Sequence, residues 1–340
     1  MSETIRFIIV GENIHCTRIF KKEGANIKAL ADGRYGITYT DKGQERHLPI
    51  PSRFLESADW EKGRVKHAAV AVWQGLHGDS AGSQAGAAYL AYMARSQEAA
   101  GASYLDLNVD EFSTDPQERV HAMAWTVETI QAVSTAALSI DSSNTEVLKA
   151  GLEACEKSKG QPLVNSVSLE RAAAIPIARE YGAAVIAGAT GEEAMPATRE
   201  EKVANLDRLM LKLRQAGFQE REIFLDPLVF PVSVNPANGL MTLEAIAELR
   251  RKLGPAIHFA PGISNISYGM PNRKLLNQVF ARLCMEAGAD GGIVDPAQIN
   301  ADILSKLDTG GQAYALARAF LIGEDQFGMA FISAVRAGKI

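Results

Sequence analysis

The 340-residue chain is poor in cysteine, holding only Cys16, Cys155 and Cys284, an odd number with no C-x-x-C spacing. That disfavours both a disulfide framework and a structural zinc site, and it makes a reducing cytoplasm the default compartment. Long apolar runs are also missing: no segment approaches the ~20 residues that a membrane-crossing helix needs. The N-terminal MSETIRFIIVGEN has a short apolar stretch with neither a basic flank nor a small-residue cleavage site, so neither export nor membrane insertion is expected. Positive charge is in deficit, with 35 Lys and Arg against 40 Asp and Glu, a net charge of −5 and a pI near 5.8. A nucleic-acid binder usually shows a basic domain or stripe, so a small-molecule or protein partner fits better. None of the six histidines stands in an H-x-x-x-H or H-E-x-x-H pattern, which leaves a catalytic zinc with little support. His15, His77 and His258 read instead as hydrogen-bonded structural histidines, with His15 near the end of the first strand. No Ser-His-Asp arrangement is evident, which argues against acyl transfer.

What is present is a large apolar fraction, 47%, against 22% charged residues, enough for a sizeable core. Length alone permits two domains or one large α/β barrel. Eight short β-rich apolar runs recur, at 5–10, 103–108, 137–141, 162–166, 183–187, 222–226, 256–260 and 291–294. Between them lie stretches with helical apolar spacing at 84–100, 116–134, 145–157, 168–181, 196–217, 241–253 and 271–287. Strands alternating with helices mean parallel pairing. The phrases EAAGASYLDLN, REYGAAVIAG and MEAGADGGIVD each close a helix at a glycine and enter a buried strand. Eight such units favour one closed (β/α)8 TIM barrel over residues 1–340. A doubly wound sheet is the runner-up, but its G-x-G-x-x-G signature is absent after the first strand, where the sequence reads Gly11-Glu12-Asn13-Ile14-His15.

Residues 17–83 break the rhythm as a long insertion between the first strand and its helix, rich in Gly, Pro and charge. Connections beyond ~15 residues tend to be lids, partner-binding elements or mobile segments. The stretch GRYGITYTDKGQERHLPIP reads as a hairpin turning at Asp41-Lys42-Gly43. The insertion is expected to cover or flank the barrel mouth; a surface decoration is the alternative reading.

Function concentrates at 258–280, where an apolar strand runs into a Gly-Ile-Ser-Asn-Ile-Ser turn and then a helix. Active sites of (β/α)8 barrels form at the carboxyl ends of the strands. The polar residues there are Glu12 and Asn13, Asp106 and Asn108, Asp141 and Asn144, Asn165, Asp226, Asn265, and Asp295. Each has a plain structural reading as well: Asn144, Ser166, Ser168 or Asn265 as a helix cap, Asp226 before Pro227 as a turn residue. Agreement of seven strand ends is harder to ascribe to accident. Clustered amides and carboxylates match the donors and acceptors along an aminopyrimidinone edge, where a carboxylate accepts two N–H bonds.

The motifs VGENIH, LDLNVD, IDSSN, LVNSVSLE, LDPLV and above all GISNISYG, followed by Arg273 and Asn277-x-x-Phe280, resemble those of the pterin-binding methyltransferases. That group includes the methyltetrahydrofolate–corrinoid methyltransferases and the folate domain of cobalamin-dependent methionine synthase. The resemblance runs from about 84 to 300 and includes the first strand. It implies that Asp106, Asn144 and Asp226 hold the pterin ring and that Asn165 adds to that wall. It further implies that Asn108, Gly262, Ser264 and Arg273 belong to the binding set, with Glu12, Asn13 and Asp295 as further candidates. Asn265 would lie beside N5 of the folate and, with Asp226 and Asp106, form the catalytic set. The expected activity is methyl transfer, in either direction, between N5 of tetrahydrofolate and the cobalt of a cobalamin held by a separate corrinoid protein. No D-x-H-x-x-G corrinoid-binding segment is found in the chain, no bound metal is expected, and the resemblance implies a homodimer. Dihydropteroate synthase shares the barrel, but its Asn-x-Thr-x-Asp-Ser-Phe motif is absent, and the Ser264-Asn265 turn stands where its seventh-strand lysine is expected. A condensing enzyme of that kind and a non-catalytic pterin-binding or carrier-docking subunit are the alternatives. Two departures stand out: Asp110-Glu111, where relatives commonly carry small residues, and the 17–83 insertion.

Overall fold

Short apolar runs bounded by turn residues form parallel strands because only a sheet covered on both faces buries both sides of such a run. Eight do so: β1 (Ile8–His15), β2 (Tyr104–Asn108), β3 (Ala137–Asp141), β4 (Leu163–Val167), β5 (Ala184–Gly188), β6 (Ile223–Asp226), β7 (His258–Phe259) and β8 (Gly291–Val294). A computed structural model describes residues 6–340; the start of the expected first strand at Ile5 and the residues before it lie outside the described part. The strands form one sheet in the order β7-β6-β5-β4-β3-β2-β1-β8, and a parallel bridge from Gly262, just after β7, to Ile293 of β8 brings the two ends together. This is the expected α/β barrel, nearly closed. In β5 every residue is buried, as a parallel barrel strand requires.

β1 runs further than the expected 5–10, through Gly11-Glu12-Asn13-Ile14 to His15. Its polar residues are therefore strand residues. The junction glycines behave as expected: Gly101, Gly182 and Gly288 take φ of +95°, +67° and +109° after their helices, a conformation other residues rarely adopt. The helix expected over 168–181 is shorter, Ala174–Glu180, because Pro176 lacks an N–H and fits only in a first turn.

The chain divides into two compact units. One comprises the start of β1 through Gly11, Ala100–Ser103 and Leu163–Ile340; its core includes Phe259, Phe280, Phe320 and Phe331, all fully buried. The other comprises Glu12–Ala99 and Tyr104–Pro162. In it the insertion carries the expected hairpin, Tyr35–Asp41 paired with Gln44–Pro49. Lys42 and Gly43 at its tip have φ of +51° and +77°, the mirror-image turn that matches strand twist. Beyond that expectation, Ile27–Ala29 adds a third strand, and Ile19–Lys21 pairs antiparallel with Arg64–Lys66. The last part is helical rather than loop: His67–His77 precedes the helix Ser80–Ala99, whose start is fixed by the Asp79 carboxylate accepting from the Gly82 N–H at 2.8 Å. Among the described residues no helix is long and apolar enough to cross a membrane.

Candidate functional site

In the unit of Glu12–Ala99 and Tyr104–Pro162, the adjacent strands β1, β2 and β3 bring His15, Asp106 and Asp141 together, with one nitrogen or oxygen of each within 4.8 Å of the others. The His15 Nε2 lies 2.7 Å from an Asp106 carboxylate oxygen, and Asp106 is fully buried. Asn108 donates from its amide to Asp141 at 2.9 Å and accepts from the Asp110 N–H at 3.0 Å, so it holds the aspartate and shapes the loop. Burial, with the Asp106 charge behind it, pushes the Asp141 carboxyl up to about 7, against the pull of His15 and the Asn108 hydrogen bond. For His15, burial is the largest single influence and pulls its pKa down. The Asp106 hydrogen bond and the charges of Asp106, Asp141 and Glu12 outweigh it, and the imidazole ends above its ordinary value. The structural reading of His15 thus holds in part: it is hydrogen-bonded, but to a carboxylate in the cluster. His258 is the structural histidine expected, 2.7 Å from Asp290.

Asp141 is the residue that the sequence-based set omits, although it was visible as a strand-end carboxylate. Conversely, several expected residues have local employment. The Asn144 oxygen caps the helix Thr145–Ala154 by accepting from the Glu146 and Val147 N–H groups at 2.9 and 3.1 Å. Glu12 is ion-paired with Arg18 at 2.7 Å, and the Asn13 N–H donates to Gln97 at 3.1 Å. Both residues of the Asp110-Glu111 departure have partners in the fold. Asp110 accepts from the Ser142 hydroxyl at 2.5 Å and from the Ser143 N–H and hydroxyl at 2.8 Å each, while Glu111 pairs with Lys66 of the insertion at 2.9 Å.

In the other unit, Asp226 ends β6. Its carboxylate accepts from the Leu228 N–H at 2.8 Å, and Leu228 takes φ of +60° as the chain turns back over Pro227. Burial raises the Asp226 carboxyl to about 6, while the Leu228 hydrogen bond, the Lys202 charge and a hydrogen bond from the Gly262 backbone hold it from going higher. Lys202 was not anticipated. Fully buried, it donates to the Leu228 carbonyl at 2.5 Å and the Thr242 hydroxyl at 3.0 Å, and its ammonium lies 4.9 Å from the Phe230 ring centroid. Burial lowers its pKa to about 8 against the pull of Asp226. Lys202→Met keeps the volume and the contact with Phe230 but removes that charge. The Asp226 carboxyl is expected to titrate higher by about one pH unit, read from its 13C carboxyl resonance. An unmoved titration would mean that Asp226 does not feel the lysine.

After β7 the turn Ile263–Ser267 presents Asn265 at the surface. Its carboxamide has no hydrogen-bond partner among the described residues, and its nitrogen stands 3.1 Å from where a side chain on Gly262 would begin, so a larger residue there would crowd it. Arg273 braces this turn, donating to the Ser267 hydroxyl at 3.0 Å and the Ser264 carbonyl at 2.8 Å; Asn277 accepts from the same hydroxyl at 2.7 Å. Asn165 lies in the middle of β4, half-buried, with a cis peptide to Ser166. Asp295 closes its own turn by accepting from the Ala297 N–H at 3.1 Å and the Gln298 amide at 2.6 Å.

The profile of a family described as pterin binding enzyme matches residues 81–295. The chain is 30% identical over 258 residues to a methylcorrinoid:tetrahydrofolate methyltransferase of Eubacterium limosum, covering 74% of this chain and 89% of that one. It is 34% identical over 222 residues to the methionine synthase of Mycobacterium tuberculosis, a match spanning 61% of this chain and only 18% of that longer protein. Among solved structures, a dihydropteroate synthase of Xanthomonas albilineans with 4-aminobenzoic acid aligns with a TM-score of 0.50 over 70% of this chain and 86% of that one, at 17% identity. That likeness bears on the fold alone.

Proposed function

The chain belongs to the pterin-binding enzyme family, and from that premise we propose that it moves a methyl group between N5 of tetrahydrofolate and the cobalt of a corrinoid held by a partner protein. The observation that carries this reading is the match, over nine-tenths of its length, to the relative named methylcorrinoid:tetrahydrofolate methyltransferase. The residues present suit a pterin. The carboxyl groups of Asp226 and Asp106 offer acceptors for the paired N–H groups of an aminopyrimidinone, and Asn165, Asn144 and Asn108 add amide donors and acceptors. To these expected binding residues we add Asp141, which the Asn108 amide orients. Gly262 and Ser264 supply backbone close to the ligand. Arg273 acts by fixing the turn, while Glu12, Asn13 and Asp295 serve the rim. In this reading residues 1–340 work as one barrel with 17–83 inserted, in a reducing cytoplasm and as a homodimer, with no metal of its own.

A tertiary amine is a poor leaving group, so N5 must be protonated or strongly hydrogen-bonded as its bond to the methyl carbon breaks. Asn265 meets that need: its carboxamide is uncommitted and carried on a braced turn. An amide cannot release a full proton. Its donation therefore works best within a network that includes Asp226 or Asp106, and the gain lies in the transition state. Asn265→Ala is expected to bind pterin nearly as the parent does and to transfer methyl tenfold more slowly or worse. Unimpaired transfer would remove Asn265 from the chemistry.

The reading as a whole is tested anaerobically with methyltetrahydrofolate and free cob(I)alamin, following methylcobalamin spectrophotometrically, and in the reverse direction with methylcobalamin and tetrahydrofolate. Enzyme-dependent turnover in either direction is the expected result. Failure of the chain to bind any reduced pterin would sink it.

A further inference from the structure

A cavity of about 630 Å³ opens beside the loop that follows β2, lined by Arg53 and Lys66 of the insertion and by Asp110, Phe112, Ser113 and Arg119. Its lining carries three cations, Arg53, Lys66 and Arg119, against two carboxylates, Asp110 and Glu111. Lys66 is neutralised by Asp59 at 3.1 Å and Glu111 at 2.9 Å, and the Asp110 carboxylate is turned onto Ser142 and Ser143. Arg53 and Arg119 are different. Neither guanidinium has an ion pair among the described residues; Arg53 lies over the Phe54 and Trp73 rings, 5.7 and 5.6 Å from their centroids. The Nε of Arg119 is buried with no acceptor. Two guanidiniums without an ion pair, on a wall that also carries the Ser113 hydroxyl and the Phe112 ring, suit carboxylates, which guanidinium binds through paired hydrogen bonds.

The cavity also adjoins the loop that leaves the strand-end cluster. Asp110, on its wall, is two residues beyond Asn108, whose amide holds Asp141, and the Asp110 N–H donates to the Asn108 side chain at 3.0 Å. We propose that this cavity receives the glutamyl tail of the folate, with Phe112 against the aminobenzoyl ring and Arg53 and Arg119 on the tail carboxylates. The inference rests on the pterin reading above and deepens it: the insertion selects folates by their tail.

The test is equilibrium binding of three probes to the full chain: tetrahydrofolate with one glutamate, tetrahydrofolate with three, and the tail-free 6-methyltetrahydropterin. The parent protein is expected to prefer the triglutamate. Arg53→Gln/Arg119→Gln is expected to lose about tenfold or more for both tailed probes and nothing for the tail-free one. Arg53→Gln alone, on an exposed side chain, gives the same pattern at smaller amplitude and guards against misfolding of the double variant. Unchanged affinity for the tailed probes, or an equal loss for the tail-free pterin, overturns the tail site while the pterin reading stands. If the parent protein binds none of the three, the pterin reading fails and takes this inference with it.

Discussion

Asp226→Asn is expected to weaken pterin binding about a hundredfold or more and, at the same time, to stabilise the protein at neutral pH. The two effects have one origin. At pH 7 the Asp226 carboxyl, raised to about 6 chiefly by burial, is mostly ionised in a place that disfavours charge. The backbone N–H groups of Leu228, at 2.8 Å, and Gly262 already orient this carboxylate, and the two lone-pair sites that remain of its four are what a ligand would use. Asparagine turns one acceptor into a donor that faces the N–H groups of an aminopyrimidinone. Losing two charge-assisted hydrogen bonds, at roughly 1.5–3 kcal/mol each, gives a factor of about a hundred or more. For stability the sign runs the other way. A carboxyl whose folded pKa is raised contributes stability below the unfolded value near 3.8 and loses it as pH rises through about 6, so the ionised group is a liability at pH 7. Removing the charge lifts that penalty, and the melting temperature at pH 7.5 should rise. A fluorescence titration with a reduced pterin and a thermal unfolding scan read the two arms. Unchanged affinity would exclude Asp226 from the site, and a lower melting temperature would make it a structural aspartate.

Much of this was legible in the sequence, for a reason that also marks where legibility ends. The eight strands announce themselves through runs such as AAVIAG and GGIV, and the glycines before them take the positive φ that the helix ends require. The hairpin was readable because Asp-Lys-Gly selects one turn type. The strands Ile27–Ala29 and Ile19–Lys21 were not, since three residues carry no periodicity and their partners lie elsewhere in the chain. Position at or near a strand end was enough to single out Asp106, Asp226 and Asn265 as candidates. What each side chain does there depends on neighbours distant in sequence. Asn144 spends its oxygen on a helix cap and Arg273 braces a turn, whereas Asp141 acquires its character only beside His15 and Asp106, and buried Lys202 only beneath the Asp226 turn.

Asp141 supplies the second large effect. If it accepts from the pterin, binding must weaken as pH falls through about 7, where its carboxyl takes up a proton, and weaken again near 6 as Asp226 follows. Affinity should fall by about tenfold per pH unit below each step. Asp141→Asn is expected to cost about a hundredfold in affinity at pH 8 and to erase the upper step while keeping the lower one. His15→Asn gives the complementary shift. The imidazole draws the Asp141 pKa down, so its loss should move the upper step to higher pH and weaken binding most near neutrality. A structural role alone would change affinity at every pH by the same factor; displacement of one step separates the two. Stability again has the opposite sign to binding. The raised Asp141 carboxyl favours the folded state at low pH and ceases to do so as pH climbs from about 4 through about 7, so Asp141→Asn should melt higher than the parent at pH 8. An affinity profile of the parent protein that stays flat between about pH 5.5 and 8.5 would show that neither carboxylate meets the ligand, since titration of a contacting group cannot be silent.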